Sequence, residues 1–178
     1  MTSPASTYSL PPNRLRAPSD VVVANRVFGA NCGPSSFAAI LSLQVCDIMQ
    51  FFSHFETRCF TTMRDMRAAA EACGIQFAVT NDFPDFGIAL IQLNGPWMNY
   101  PNSARWSGQY THWVGVCGGD IYDINSGEWV PMEEWKDRVI PQLIRATPKA
   151  TSWSLKCSLR VLAQPFQAEQ AVPGLVFD

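Results

Sequence analysis

Residues Asn31-Cys32-Gly33-Pro34 break the chain and launch an apolar helix, and this stretch constrains the fold more than any other. Gly29 and Gly33 supply backbone freedom, and Pro34 suits a first helical turn, where its missing N–H costs nothing. Phe37, Ile40, Leu41 and Gln44 follow at i, i+3, i+4 and i+7, the period of a helix facing a core. The spacing therefore predicts Cys32 at a helix N-terminus, where unpaired N–H groups and the helix dipole favour a thiolate. A thiolate there is a nucleophile with a ready oxyanion site. The competing reading makes Cys32 one of six small, buried, apolar side chains.

Length and charge narrow the choice of partner. A chain of 178 residues suits one domain, large enough to bury about 70% of its unfolded surface. A net charge of −2 with no Lys/Arg run gives no footprint for nucleic acid. The sequence holds no apolar run long enough to cross a bilayer and shows no secretory signal. None of the six cysteines is in a CxxC pair and only two histidines exist, so no metal site and no cofactor are expected. Reduced thiols in a cytosol-like compartment follow from the same pattern.

Residues 1–20, rich in Ser, Pro and Thr, read as a flexible or surface-bound leader, residues 21–165 as the domain and 166–178 as a loose tail. Val21-Val22-Val23 is expected to pack a loop ahead of the Cys32 turn. Asp47 to Phe55 reads as a short helix containing His54 as a structural residue. Thr62 and Asp65 form a capping-box-like start to a helix from Met63 to Cys73, closed by Gly74. Strands are expected over Ile75–Val79 and Gly87–Leu93. The stretch from Asn94 to Thr111 is loop-like and carries Trp97, Tyr100, Trp106 and Tyr110, either as a substrate rim or as cover for the core. Pro131 to Ile144 gives a helix interrupted at Pro141. Trp153, Leu155, Cys157, Leu159 and Val161 alternate with polar residues as a half-buried strand.

The chemistry gathers in a hairpin. His112 to Cys117 and Asp120 to Asn125 flank Gly118-Gly119, a two-residue turn signal. Counting outward pairs Cys117 with Asp120, Val116 with Ile121, Gly115 with Tyr122 and His112 with Asn125. Paired side chains share a sheet face about 5 Å apart, so Asn125 falls beside the imidazole, with Asp123 one diagonal step away. A Cys at a helix start, a His on a strand and an Asn or Asp orienting that His make a nucleophilic triad.

Cys32-Gly33-Pro34 opening a helix, then His112-Trp113-Val114, then Ile124-Asn125-Ser126, resembles the papain-like cysteine peptidases. The layout is most similar to the bacteriocin-leader (double-glycine) peptidase-like group, across roughly residues 25 to 130. The resemblance implies an α+β papain-like fold, an N-terminal helical half packed on a small antiparallel β-sheet. It implies Cys32 as nucleophile, His112 as base and Asn125 or Asp123 as the orienting residue. Such enzymes place a Gln five or six residues before the Cys as oxyanion donor, whereas this chain has Val27 and Arg26 there. Asn25 and Asn31 are the candidates to stand in. By analogy with the group, Trp97, Trp106 and Trp113 would wall a narrow substrate site.

The expected activity is thiol-dependent hydrolysis of a peptide or isopeptide bond in a protein or peptide substrate, in the cytoplasm or in a cell into which the protein is delivered. The same triad also serves glutamine deamidation or acyl transfer to an amine. A papain-like binding module without chemistry is the remaining alternative.

Overall fold

The structure, a computed structural model, describes residues 15–52, 55, 60–101 and 108–163, with the side chain of residue 163 excluded. His54, Trp106 and the tail after residue 163 lie outside the described residues, as do residues 1–14 of the expected leader. The described part is α+β: helices on both faces of a six-stranded antiparallel sheet. No single helix among the described residues is long and apolar enough to cross a membrane.

In chain order come α1 (Val21–Phe28), α2 (Cys32–Leu41), α3 (Val45–Ile48, running into a 3-10 turn Met49–Phe51) and α4 (Met63–Ala72). Strands β1 (Gln76–Thr80) and β2 (Phe86–Asn94) follow. The hairpin β3 (Thr111–Cys117) and β4 (Asp120–Asp123) leads to β5 (Glu128–Pro131), and β6 (Ser152–Ala163) closes the sheet. The strand order is β1-β6-β2-β3-β4-β5. Between β5 and β6, α5 (Met132–Glu134) and α6 (Ile140–Ala146) are joined by a wider π-turn over Trp135–Val139. Pro141 accounts for that widening, because it has no N–H to return to the preceding turn and its ring crowds the carbonyl there.

One sheet face carries Ile88, Leu90, Trp113, Tyr122 and Leu159 beneath α2, α3 and α4, which contribute Phe37, Ile40, Ile48 and Met66. The other carries Ala89, Ile91, Val114, Val116 and Ile121 beneath Trp135, Val139 and Ile140. Strand β2 is therefore buried on both faces, which is why Phe86 to Leu93 is almost unbroken in apolar residues.

Several expectations hold at the level of single residues. Thr62 and Asp65 form the reciprocal capping box on α4. Gly74 takes a left-handed φ of 70° after that helix. The hairpin register follows the count from Gly118-Gly119, whose φ values of 58° and 92° fit a primed two-residue turn.

Others are corrected. Val21-Val22-Val23 is not a loop but the first turn of α1, despite the weak helix propensity of β-branched residues. Residues 15–20 are not a flexible leader. Leu15 and Ala17 pack on the core, and Asp20 accepts the Val45 and Cys46 N–H groups at 2.8 Å each, capping α3 from a distant part of the chain. The sheet has six strands, including the unforeseen β5.

Strand β6 also departs from simple alternation. Leu90 pairs with Cys157 while Ile91 pairs with Leu155, so Lys156 is an extra residue in a bulge. The apolar set accordingly changes face: Trp153 and Leu155 pack with the Trp135 cluster, whereas Cys157, Leu159 and Val161 pack on the helical side.

The Gly in the Cys-Gly-Pro start has a packing reason. A Cβ on Gly33 would lie 2.3 Å from Thr61 Oγ1, and Thr61 is fixed because Trp113 Nε1 donates to its carbonyl at 2.9 Å. Gly33→Ala is expected to lower stability by about 1–3 kcal/mol in urea unfolding. Gly108→Ala, whose added methyl meets nothing within 4 Å, should stay within about 0.5 kcal/mol.

Candidate active site

Antiparallel pairing makes every second residue of β3 direct its N–H and C=O toward β4. Cys117 and Gly115 pair there with Asp120 and Tyr122, but the ladder ends at Gly115. The next residue of that parity is Trp113, left at an open edge, and α2 covers it. The Trp113 N–H donates to Cys32 Sγ, and one helical turn later Ser36 Oγ donates to the Trp113 carbonyl at 3.0 Å. Helix start and strand edge are thus joined through the nucleophile candidate itself.

His112 precedes Trp113 and is 8% exposed. Its Nε2 donates to Asp123 Oδ1 at 3.0 Å, which leaves Nδ1 for the Cys32 thiol. Asp123 is fully buried and well satisfied. Oδ1 also accepts the Asn125 backbone N–H at 2.9 Å and Asn125 Nδ2 at 2.8 Å, and Oδ2 accepts Trp135 Nε1 at 2.8 Å.

Of the two candidates for orienting the imidazole, Asp123 makes the direct bond. Beyond Gly115 and Tyr122 the β3–β4 ladder does not continue, so Asn125 stands in a turn rather than across a strand from His112. Its amide nitrogen, not its carbonyl, lies 3.5 Å from His112 Nε2, and that nitrogen is committed to the carboxylate. Asn125 braces Asp123.

Burial opposes charge at all three groups, and their mutual attraction outweighs it. For Cys32, desolvation raises the pKa, but His112 lowers it through charge and hydrogen bonding, aided by the Trp113 N–H. The net shift is downward. For His112, desolvation favours the neutral ring, but the Cys32 and Asp123 charges and bonds push its pKa up to about 10. Asp123 is desolvated too, yet His112, Trp135 and the Asn125 N–H bring it down to about 2. The directions of these shifts favour a thiolate–imidazolium pair backed by a carboxylate.

Cys32 opens into a cleft of about 690 Å³. Its described lining includes Asn31, Phe60, Thr61, Met63, Leu90 and Trp113, and it continues to Lys156 and Cys157 on β6. At the start of α2, Asn31 is the N-cap. Its side-chain oxygen accepts the Gly33 N–H at 3.3 Å and its carbonyl accepts the Ser35 N–H at 3.1 Å, leaving the Cys32 N–H for an oxyanion.

The remaining candidates fall elsewhere. Asn25 is exposed on α1 and donates through Nδ2 to the Ala30 carbonyl at 2.7 Å, so it braces the loop before Cys32 and does not line the cleft. Trp97 is not on a rim. It is buried, stacked on Tyr110 at 3.7 Å, with Nε1 donating to the Leu93 carbonyl. Trp113 does line the cleft, as a buried part of its floor. Trp106 is outside the described residues.

Sequence reasoning missed Ser36 and Trp135. The Ser35-Ser36 pair one turn after Cys32 in an otherwise apolar helix was the available signal for Ser36; Trp135 carried none. Among the described residues no three His, Cys, Asp or Glu side chains gather as a metal site would need, and the five described cysteines are unpaired. Compared with protein-family models, curated proteins and solved structures, the chain matches none.

Two measurements follow from these charges. Iodoacetamide labelling of Cys32 should titrate below the free-thiol range of about 8.5, and His112→Ala should move the midpoint upward, since burial and the Asp123 charge are then opposed only by the Trp113 N–H. Asp123 has a folded pKa below its unfolded one, so its contribution is present above about pH 4 and fades as pH falls toward 2. The stability gap between wild type and Asp123→Asn should narrow by on the order of 1–2 kcal/mol between about pH 6 and pH 2.5 in urea titrations.

Proposed function

We propose that the protein is a papain-like cysteine peptidase, a thiol hydrolase that cleaves a peptide or isopeptide bond through an acyl-enzyme. The observation that carries this reading is the row Cys32–His112–Asp123, with the sulfur facing a cleft and the carboxylate sealed behind the imidazole. A buried apolar cysteine needs no charged partner. Here instead the thiol is paired with a histidine whose own partner accepts four hydrogen bonds, a costly arrangement in an apolar setting unless charge is wanted there.

In this mechanism the Cys32 thiolate attacks the substrate carbonyl carbon, and its oxygen takes up the negative charge at the Cys32 N–H. The imidazolium of His112 gives its Nδ1 proton to the departing amine as the C–N bond breaks. Water then enters, His112 Nδ1 takes a proton from it, and the hydroxide attacks the thioester. Breaking the C–S bond releases the acid and restores the thiolate, with the proton back on His112. Asp123 holds the ring throughout and balances its charge.

Unmatched substrates call for a broad screen: a quenched peptide library and intact proteins, read by fluorescence and mass spectrometry. Cleavage is expected, abolished in Cys32→Ala and reduced about 10²–10⁴-fold in His112→Ala. Its kcat/KM should follow a bell, rising through the lowered thiol pKa and falling through the raised imidazole pKa. Full cleavage by Cys32→Ala would overturn the reading. Deamidated or cross-linked products without cleavage would move the same triad to glutamine chemistry.

A further inference from the structure

In a regular strand, neighbouring side chains point to opposite faces. Lys156 and Cys157 nevertheless both line the cleft that contains Cys32, and the bulge at Lys156 is the reason. The extra residue lets Cys157 fall in line with Leu90 and Trp113 across β6, β2 and β3 while the Lys156 side chain also reaches the cavity.

The ammonium is positioned as well as present. Gln92 is 3% exposed, and its Nε2 donates to the Leu93 and Tyr110 carbonyls at 3.0 and 3.2 Å. With the amide nitrogen so anchored, its Oε1 stands 3.5 Å from Lys156 Nζ. Among the described residues Lys156 has no carboxylate partner, and it is the one side chain of the described lining with a permanent charge. The rest of that wall is apolar or neutral: Phe60, Met63, Leu90, Gln109 and Thr111.

Resting on the thiol-hydrolase reading, we infer that Lys156 selects a carboxylate on the substrate, an acidic side chain or the peptide's own C-terminus. Strands lie about 4.8 Å apart, so β6 is about 10 Å from β3. An extended peptide covers that span in about three residues at 3.3 Å each. The recognised carboxylate therefore belongs within about three positions of the bond that Cys32 attacks. Lys156 is itself exposed, and as the one cation on an otherwise neutral wall it favours an anion and disfavours a second cation, so the same residue gives attraction and exclusion.

The test uses irreversible labelling of Cys32, which needs no turnover. Peptidyl acyloxymethyl ketones carrying Glu, Gln or Lys at each of three positions before the warhead are compared in second-order labelling rate. Tripeptides with free or amidated C-termini compete against iodoacetamide labelling of the same thiol. An acidic side chain as the source predicts that Glu outpaces Gln by about tenfold at one position. A terminal carboxylate as the source predicts about tenfold better protection by the free acid than by the amide. In either case Lys156→Glu should invert the preference toward the Lys probe or the amide. Equal rates and equal protection across the series, or a Glu preference that survives Lys156→Glu, would overturn the inference while a fast-labelling Cys32 left the hydrolase reading standing. A Cys32 that reacts no faster than Cys46 with every probe would remove both.

Discussion

The open edge of β3 at Trp113 is the constraint from which the rest of the site follows. A strand that outlasts its partner exposes an N–H and a C=O that must find partners elsewhere. Here α2 supplies both, the N–H meeting Cys32 Sγ and the C=O meeting Ser36 Oγ. Because the two contacts are one helical turn apart, they fix the axial position of α2 as well as its approach. Gly33 then has to be Gly, since Thr61, hung from the Trp113 indole, occupies the place of its Cβ. Closing the sheet edge and setting the thiol beside the imidazole are the same act of folding.

The charge behind the imidazole is held by the other half of the fold. Asp123 ends β4, and its second oxygen is taken by Trp135, which belongs to the π-turn ahead of Pro141. A regular helix there would rotate residues after the turn by a different amount relative to Trp135, and the proline forbids it. The carboxylate is thus approached from β3 by His112, from the β4–β5 turn by Asn125 and from the far layer by Trp135. A strand, a turn and a helix thus converge on one buried anion. Its low pKa expresses that convergence, since burial alone would have raised it.

What was legible in the sequence was local. The helix start at Cys32, the Thr62–Asp65 box, the Gly118-Gly119 turn and the strand at Gly87–Leu93 each carry their own signal, and each stands where it was read. The pairing of His112 with a carboxylate could be counted to within one diagonal step, but choosing between Asp123 and Asn125 required knowing where β4 leaves β3. That departure is decided by α2 taking over the edge, a tertiary event. Val21–Val23 misled for a similar reason: expected to pack a loop, the β-branched run instead opens a helix, and Asp20, just before it, is held in place by its bonds to α3. Trp97 looked like a rim residue because aromatic side chains in a loop carry no mark of which way they face.

Local periodicity fails at several places, and three of them act on the site. The β3–β4 ladder stops short at Gly115, the helix after β5 widens before Pro141, and β6 takes an extra residue at Lys156. Each irregularity gives up regular hydrogen bonding or alternation, and each sets a polar side chain where a regular element would not. The first admits Cys32 to the strand edge, the second brings Trp135 onto Asp123, and the third turns Lys156 into the cavity. The bulge also sorts the apolar residues of β6 between the two faces of the sheet, so the core and the site share it. The same departures from regularity thus serve both the packing of the sheet and the row from Cys32 to Asp123.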